Sequence, residues 1–253
     1  MSERLLPVTG GWAPGLLLGG IVLLGACVQW LTGMGFALVA VPALVLLLGP
    51  AEGVVLANCA AGAVSLVGLA AGWRRVRLEA MVPLCVAAVC TVPAGTWVAR
   101  RLPEPWLMAC LGALVTAAVV LVMHGTRVAA LRGGAGSVTA GAFGGFMNSA
   151  AGVGGPPLSL FALNAGWSVR EFVPNAQFYG VVVNTVSVAS NGMPRLSPPV
   201  WGLAVAAMAA GALIGRQLAG HVPEKRGRLL VLLLALAGGA STLGKGLWGL
   251  WRP

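Results

Sequence analysis

The stretch SAAGVGGPPLSLFAL, Ser149 to Leu163, places three glycines and two prolines between Gly152 and Pro157. Glycine and proline are the poorest helix formers, and two adjacent prolines remove two backbone donors. A helix entering this stretch must stop and restart. What such a stop means depends on the solvent around it.

That solvent is lipid. Over 253 residues, 58% are hydrophobic and 9% charged, with a mean hydropathy of +0.91. Apolar runs recur along the whole length, as no soluble domain would tolerate. The chain is expected to be an all-α polytopic integral membrane protein, multi-pass in the cytoplasmic membrane, with the bilayer as its first partner. Cys27, Cys59, Cys85, Cys90 and Cys110 all fall inside apolar runs without CxxC spacing, so they read as small packing residues.

The charge balance narrows the function. Sixteen Lys and Arg face six acids, Glu3, Glu52, Glu79, Glu104, Glu171 and Glu224, with no aspartate. The basic excess fits the flanks of membrane helices, and no nucleic-acid partner is expected. Every glutamate lies at or near the end of an apolar run, which leaves no carboxylate at the bilayer midplane. Cation carriers and proton pumps usually need a buried acid. Met1 to Cys27, a basic start, an apolar run and LLGAC, resembles a lipoprotein signal, but it has a counterpart in the second half, which a removable leader would not.

Apolar runs between punctuators give ten segments, at 12–32, 35–49, 53–72, 79–99, 105–123, 135–151, 155–166, 173–191, 198–218 and 228–248. The second and seventh fall short of the roughly 20 residues that cross a bilayer, so they are expected as half-helices or re-entrant pieces. Sliding the chain by 119 positions matches Gly33 with Gly152, Gly35 with Gly154, Ala43-Leu44 with Ala162-Leu163, Glu52 with Glu171 and Ala57 with Ala176. One further residue of offset lays Gly95 on Gly215, Ala99 on Ala219 and Pro103-Glu104 on Pro223-Glu224. Two transmembrane repeats follow, 1–125 and 135–253, forming one integral domain. Five segments per repeat, or three with a re-entrant pair, put the copies in opposite orientation, a pattern common in secondary transporters. Loop charges, nine basic residues against six, favour cytoplasmic loops after the odd-numbered segments.

The interruption is therefore one of a pair: LTGMGFALVAVPAL, Leu31 to Leu44, corresponds to AAGVGGPPLSLFAL, Ala150 to Leu163. Broken backbone at membrane depth is tolerated only inside protein or beside a water-filled cavity. Glycines let a ligand approach the main chain, and a restarting helix points free N–H groups and its positive dipole end at the gap. Such a site suits an anion. Close helix packing by small residues explains most of the 38 glycines but not the paired Gly-Pro stops. The candidate substrate-binding residues are Gly33, Gly35, Gly152, Gly154 and Gly155, with Asn58, Asn148, Gln177 and Asn184 as side-chain donors.

The polar candidates also match in pairs. Gln29 and Trp30 precede the first break as Asn148 and Ser149 precede the second, and Asn58 and Ser65 correspond to Gln177 and Asn184. A spacing of seven places Asn58 with Ser65, and Gln177 with Asn184, on one helix face. Glu52 and Glu171 read as helix-start residues, the latter in the capping-box pattern SVRE. Arg216 reads as snorkelling, and His124 and His221 as no ligand pair.

The twin motifs TGMGFALVAVPAL and GGFMNSAAGVGGPPLSLFAL, the FYGVVVNTVSV segment after the second, and the two-half layout resemble the TauE/SafE sulfite exporter family, also described as the toluenesulfonate uptake permease family. The resemblance implies secondary transport of a small anion such as sulfite, sulfonates or related sulfur-containing organic acids. One departure is that Phe36 and Ala37 stand where the second half has Gly155 and Pro156, which makes the first break the weaker of the two in sequence. The competing readings are a scaffold or partner subunit of a membrane complex and a membrane-embedded enzyme. An enzyme is disfavoured by the lack of Asp, HExxH or paired histidines, and a primary pump by the lack of a GxxxxGK[ST] loop. No cofactor or metal is expected.

Overall fold

A computed structural model of the chain describes residues 12–32, 35–124, 131, 133–218 and 224–251. Among them are ten α-helices and no strand: α1 (Trp12–Thr32), α2 (Phe36–Leu48), α3 (Pro50–Gly72), α4 (Leu78–Arg101), α5 (Glu104–Met123), α6 (Gly133–Ala151), α7 (Gly155–Asn164), α8 (Val169–Asn191), α9 (Pro198–Leu218) and α10 (Glu224–Trp251). Each corresponds to one apolar run. Several begin earlier than the run does, because proline and charge at a helix start extend it without breaking it. Pro50 opens α3 directly after Gly49, whose φ is 85°. Ser168 and Glu171 form a complete capping box that starts α8, so the polar residues before 173 belong to the helix.

Five helices, α1, α3, α4, α5 and α9, are long and apolar enough to cross a membrane. The surface supports that reading. Leu17, Leu66, Val86, Phe143 and Leu213 each expose more than half of their area from within helices, an arrangement that water penalises and lipid does not. Trp73, Trp97, Trp106 and Trp251 are exposed near helix ends, where amphipathic rings mark the two membrane interfaces. The Arg101 guanidinium lies 5.1 Å from the Trp97 ring centroid.

Helix pairing repeats under a shift of five elements. α1 packs along α9 as α6 packs along α4, and α1 meets α2 as α6 meets α7. The shared seams are α3 against α8 and α5 against α10. The close crossings correspond too: a Cβ on Gly95 of α4 would collide with Phe146 and Ser149 of α6, and one on Gly215 of α9 would lie 2.6 Å from Cys27 O and 2.8 Å from Trp30 Cβ of α1. Small residues at these crossings bring the helix backbones into contact.

Both seams run antiparallel. Gly62, Gly68 and Gly72 of α3 face Asn184, Gln177 and Pro174 of α8 in descending order, and Gly239, Gly246 and Gly249 of α10 face Thr116, Ala109 and Pro105 of α5. Buried apolar side chains form two cores. The larger joins α1, α2, α3, α5, α9 and α10, and the smaller joins α4, α7 and α8 with Ala140 of α6. Val153, in the break between α6 and α7, belongs to the larger core, and Leu158 of α7 to the smaller.

Candidate functional site

The second break is folded back on the end of α6. Gly152 has φ 70°, a left-handed conformation that a side chain disfavours. Its N–H donates to Asn148 O at 2.8 Å, Val153 N–H to Met147 O at 3.4 Å, and Gly154 N–H to the Asn148 side-chain Oδ1 at 3.1 Å. α7 then restarts with Pro156 and Pro157 in its first turn. At the first break Gly35 caps α2 and accepts from Val39 N–H at 3.1 Å.

Two sets of buried amides stand beside these breaks. Gln29 Nε2 lies 2.9 Å from Ser65 Oγ and 3.2 Å from Gln177 Oε1. Asn148 Nδ2 lies 3.1 Å from Asn184 Oδ1 and 3.4 Å from Asn58 Oδ1. Shifting Gln29, Ser65 and Gln177 by the repeat offset gives Asn148, Asn184 and, running back to the first half, Asn58. Each break residue thus bonds one polar group of its own half and one of the other. Asn148 adds a third contact, to Ser187 Oγ at 3.0 Å. All seven side chains are less than one-tenth exposed, and in lipid such groups persist only when paired or lining a polar space.

Between the sets lies a cavity of about 50 Å³, several times the roughly 10–15 Å³ that one water requires. Gln29, Ser65, Asn148 and Asn184 line it, together with residues of the two breaks, Gly35 to Leu38 on one side and Gly154 and Gly155 on the other. Tyr179 also lines it. Among the described residues, no Asp, Glu, Lys, Arg or His lines it, so a ligand meets dipoles and hydrogen bonds there rather than fixed charge.

A family model described as sulfite exporter TauE/SafE matches residues 17–242, which include both breaks and every amide named above. The chain belongs to the sulfite exporter TauE/SafE family. As a TauE/SafE protein it is a membrane transporter of sulfur-containing anions. No curated protein and no solved structure matches it.

The placement of the sequence candidates in this TauE/SafE chain is uneven. Gly35, Asn148, Gly154, Gly155 and Asn184 line the cavity, and Asn58 and Gln177 bond to residues that do. Gly152 is buried against Val41 and Val54 instead, so its role is the turn. Gly33 and His221 lie outside the described residues. Among the described residues no cluster of three His, Cys, Asp or Glu could hold a metal.

In the sequence Gln29 and Ser65 stood among the matched polar residues but outside the substrate-binding set, and Tyr179 was not among them. The first two carried a usable signal, being the offset partners of Asn148 and Asn184. Tyr179, the single tyrosine of the chain, corresponds to Ala60, so the repeat gave no hint of it.

The two matched glutamates sit away from the cavity at helix starts. Glu52 Oε2 accepts from Arg195 N–H at 2.8 Å. Glu171 accepts from the Ser168 N–H and hydroxyl, both at 2.9 Å, and pairs with Arg77 at 3.2 Å. The Ser168 backbone and hydroxyl bonds, then Arg77, hold the Glu171 carboxyl below its ordinary range. Arg216 is exposed in the last turn of α9.

Proposed function

We propose that the chain is a secondary transporter that carries small anions, sulfite, sulfonates or related sulfur-containing organic acids, across the cytoplasmic membrane by alternating access. The observation that carries the reading is the pair of equivalent amide sets facing one uncharged cavity from two chain breaks. Donors of this kind satisfy an oxyanion without a fixed cation, and they leave no carboxylate to repel it. The antiparallel packing of equivalent helices, α3 on α8 and α5 on α10, supports two inverted copies related by an axis in the membrane plane. In that arrangement the cavity sits where one copy can rock against the other, and Gln29 with Gln177 and Asn148 with Asn58 bridge the moving parts.

The test is counterflow in proteoliposomes preloaded with sulfite, sulfate, thiosulfate, methanesulfonate or a carboxylate. Exchange of at least one sulfur anion, without ATP and without a partner chain, is the expected result. Folded protein that exchanges none of them would overturn the reading.

A further inference from the structure

Packing departs from the order of the repeats. α4 belongs to the first repeat by sequence but packs along α6 and α8 of the second, and α9 belongs to the second but packs along α1 and against α3 of the first. Among the described residues, neither helix packs along a helix of its own repeat. The polar bonds of α4 agree. Thr91 donates to Ala142 O at 2.8 Å, Val92 O accepts from the Ser149 hydroxyl at 2.8 Å, and Arg100 donates to Ser190 O at 2.7 Å. The chain therefore changes sides twice, in the 73–77 link between α3 and α4 and in the 192–197 link between α8 and α9. Each link is tied down where it arrives. Arg77 donates its N–H to Asn175 Oδ1 at 2.8 Å and pairs with Glu171 at 3.2 Å, both on α8, while Arg195 N–H reaches Glu52 of α3 at 2.8 Å. Glu52 and Glu171 hold equivalent positions in the two repeats, so one kind of anchor serves both ends of the α3–α8 seam.

A second observation separates fixed interfaces from adaptable ones. A Cβ on Gly141 or Gly145 of α6 would collide with the main chain of Leu84 or Ala88 of α4, and one on Gly211 of α9 with Leu23 O of α1. Likewise, a Cβ on Gly53 of α3 would lie 2.7 Å from the Leu44 main chain of α2. Backbones in such contact cannot slide without collision. The glycines between α3 and α8 meet side chains instead: Gln177 lies 2.9 Å from a Cβ on Gly68, Asn184 3.2 Å from one on Gly62, and Pro174 3.3 Å from one on Gly72. The amide bonds across this divide are long, at 3.2 Å from Gln29 Nε2 to Gln177 Oε1, 3.3 Å from Asn58 Nδ2 to Asn148 O and 3.4 Å from Asn148 Nδ2 to Asn58 Oδ1. Side chains of this kind can change rotamer as the helices shift.

Resting on the transporter reading, we propose that the copies which rock against each other are exchanged ones: α1, α2 and α3 carry α9, α6, α7 and α8 carry α4, and the 73–77 and 192–197 links are the hinges. Each unit holds one chain break and its own polar group, Gln29 with Ser65 in the first and Asn148 with Asn184 and Ser187 in the second. The cavity lies between the units, and α3 on α8 is the seam that slides. Gly192, with φ 95°, and the 3-10 turn at Trp73–Arg75 place a bend in each link, so the angle between units can change without unwinding a spanning helix. Hinges of a few residues at element ends are the common solution to such motion. The anchors at Arg77 and Arg195 keep α4 and α9 with their adopted units while the links flex.

Paired cysteines test this in proteoliposomes, with exchange of sulfite and methanesulfonate as the readout. Gly19→Cys with Leu203→Cys joins α1 to α9, where a Cβ on Gly19 lies 3.4 Å from Leu203 Cγ. Gly72→Cys with Pro174→Cys joins α3 to α8, where the two Cβ atoms lie 3.3 Å apart. Both pairs are close enough for a disulfide, and both join the two repeats, but the second alone joins the two proposed units. The four single variants under the same oxidation control for the native cysteines. Closing the α3–α8 pair should abolish exchange, with recovery on reduction, and closing the α1–α9 pair should leave the wild-type rate. Exchange lost on closing α1–α9 and recovered on reduction would overturn the exchanged units, and exchange that survives closure of α3–α8 would overturn the sliding seam. Thr91→Cys with Ala142→Cys, across α4 and α6, decides by the same criterion if the α1–α9 pair does not fold or close. In each of these outcomes wild-type exchange leaves the transporter reading standing. Wild-type protein that exchanges neither probe overturns both.

Discussion

Replacing Asn148 with leucine, of similar size, tests whether the amide sets hold the breaks together. Asn148 is 5% exposed and bonds four groups: Asn58, Asn184 and Ser187 through Nδ2, and Gly154 N–H through Oδ1. One amide nitrogen has two protons, so three of these bonds count at a time. Inter-helix hydrogen bonds in membrane proteins average roughly 0.6 kcal/mol. More is lost at the partner left behind: Gly154 N–H stays buried where Pro156 and Pro157 close off rearrangement of the turn, and a buried donor without an acceptor costs about 1–3 kcal/mol. Asn148→Leu should therefore destabilise the protein by about 2–4 kcal/mol on these values. Equilibrium unfolding in mixed micelles with increasing denaturing detergent reads it, and exchange in proteoliposomes should fall with it. A loss under about 0.5 kcal/mol, the scale of a neutral surface substitution, would refute the reasoning and make the set incidental packing.

Gly154→Ala places a Cβ 2.8 Å from both Gly144 O and Asn148 Cβ; exchange should be lost while the protein still inserts, and a wild-type rate in counterflow would exclude close packing at the break as a requirement. Gly95→Ala and Gly215→Ala fill equivalent crossings against α6 and α1, so each should cost about 1–3 kcal/mol of overpacking in the same micelle assay, and neutrality at both would refute the tight seams. Glu171→Gln should lower stability at neutral pH, because a carboxyl held below its ordinary range contributes stability above its unfolded pKa and loses it as pH falls through the folded one. The difference from wild type should vanish in acid, and a difference that persists there would point to packing rather than charge.

Much of the fold was legible because lipid imposes simple rules. Twenty apolar residues make a span, proline and glycine end one, and charge collects at the ends, so ten runs gave ten helices, including the short α2 and α7. The amide sets were half legible. Asn58, Asn148, Gln177 and Asn184 stood out as amides in apolar runs, and the offset of 119 aligned them with Ser65 and Gln29. That they bond across the halves was not, since hydrogen-bond partners depend on which helices cross. The donors that Pro156 and Pro157 lack were legible in the sequence, whereas the claim of Asn148 on Gly154 N–H depends on how the break folds back on α6 and was not.

By itself the sequence determined the all-helical membrane character, the two-fold internal match, the positions of both stops and the placement of every glutamate at or near a run end, because each follows from local composition and spacing. The tertiary structure alone decided that α4 lies on α6 and α9 on α1, that α3 and α8 cross with Gln29 and Asn148 between them, and that Tyr179 reaches the cavity. Those are contacts between residues far apart in the chain, fixed by helix crossings that glycine's missing side chain permits and that no local pattern encodes.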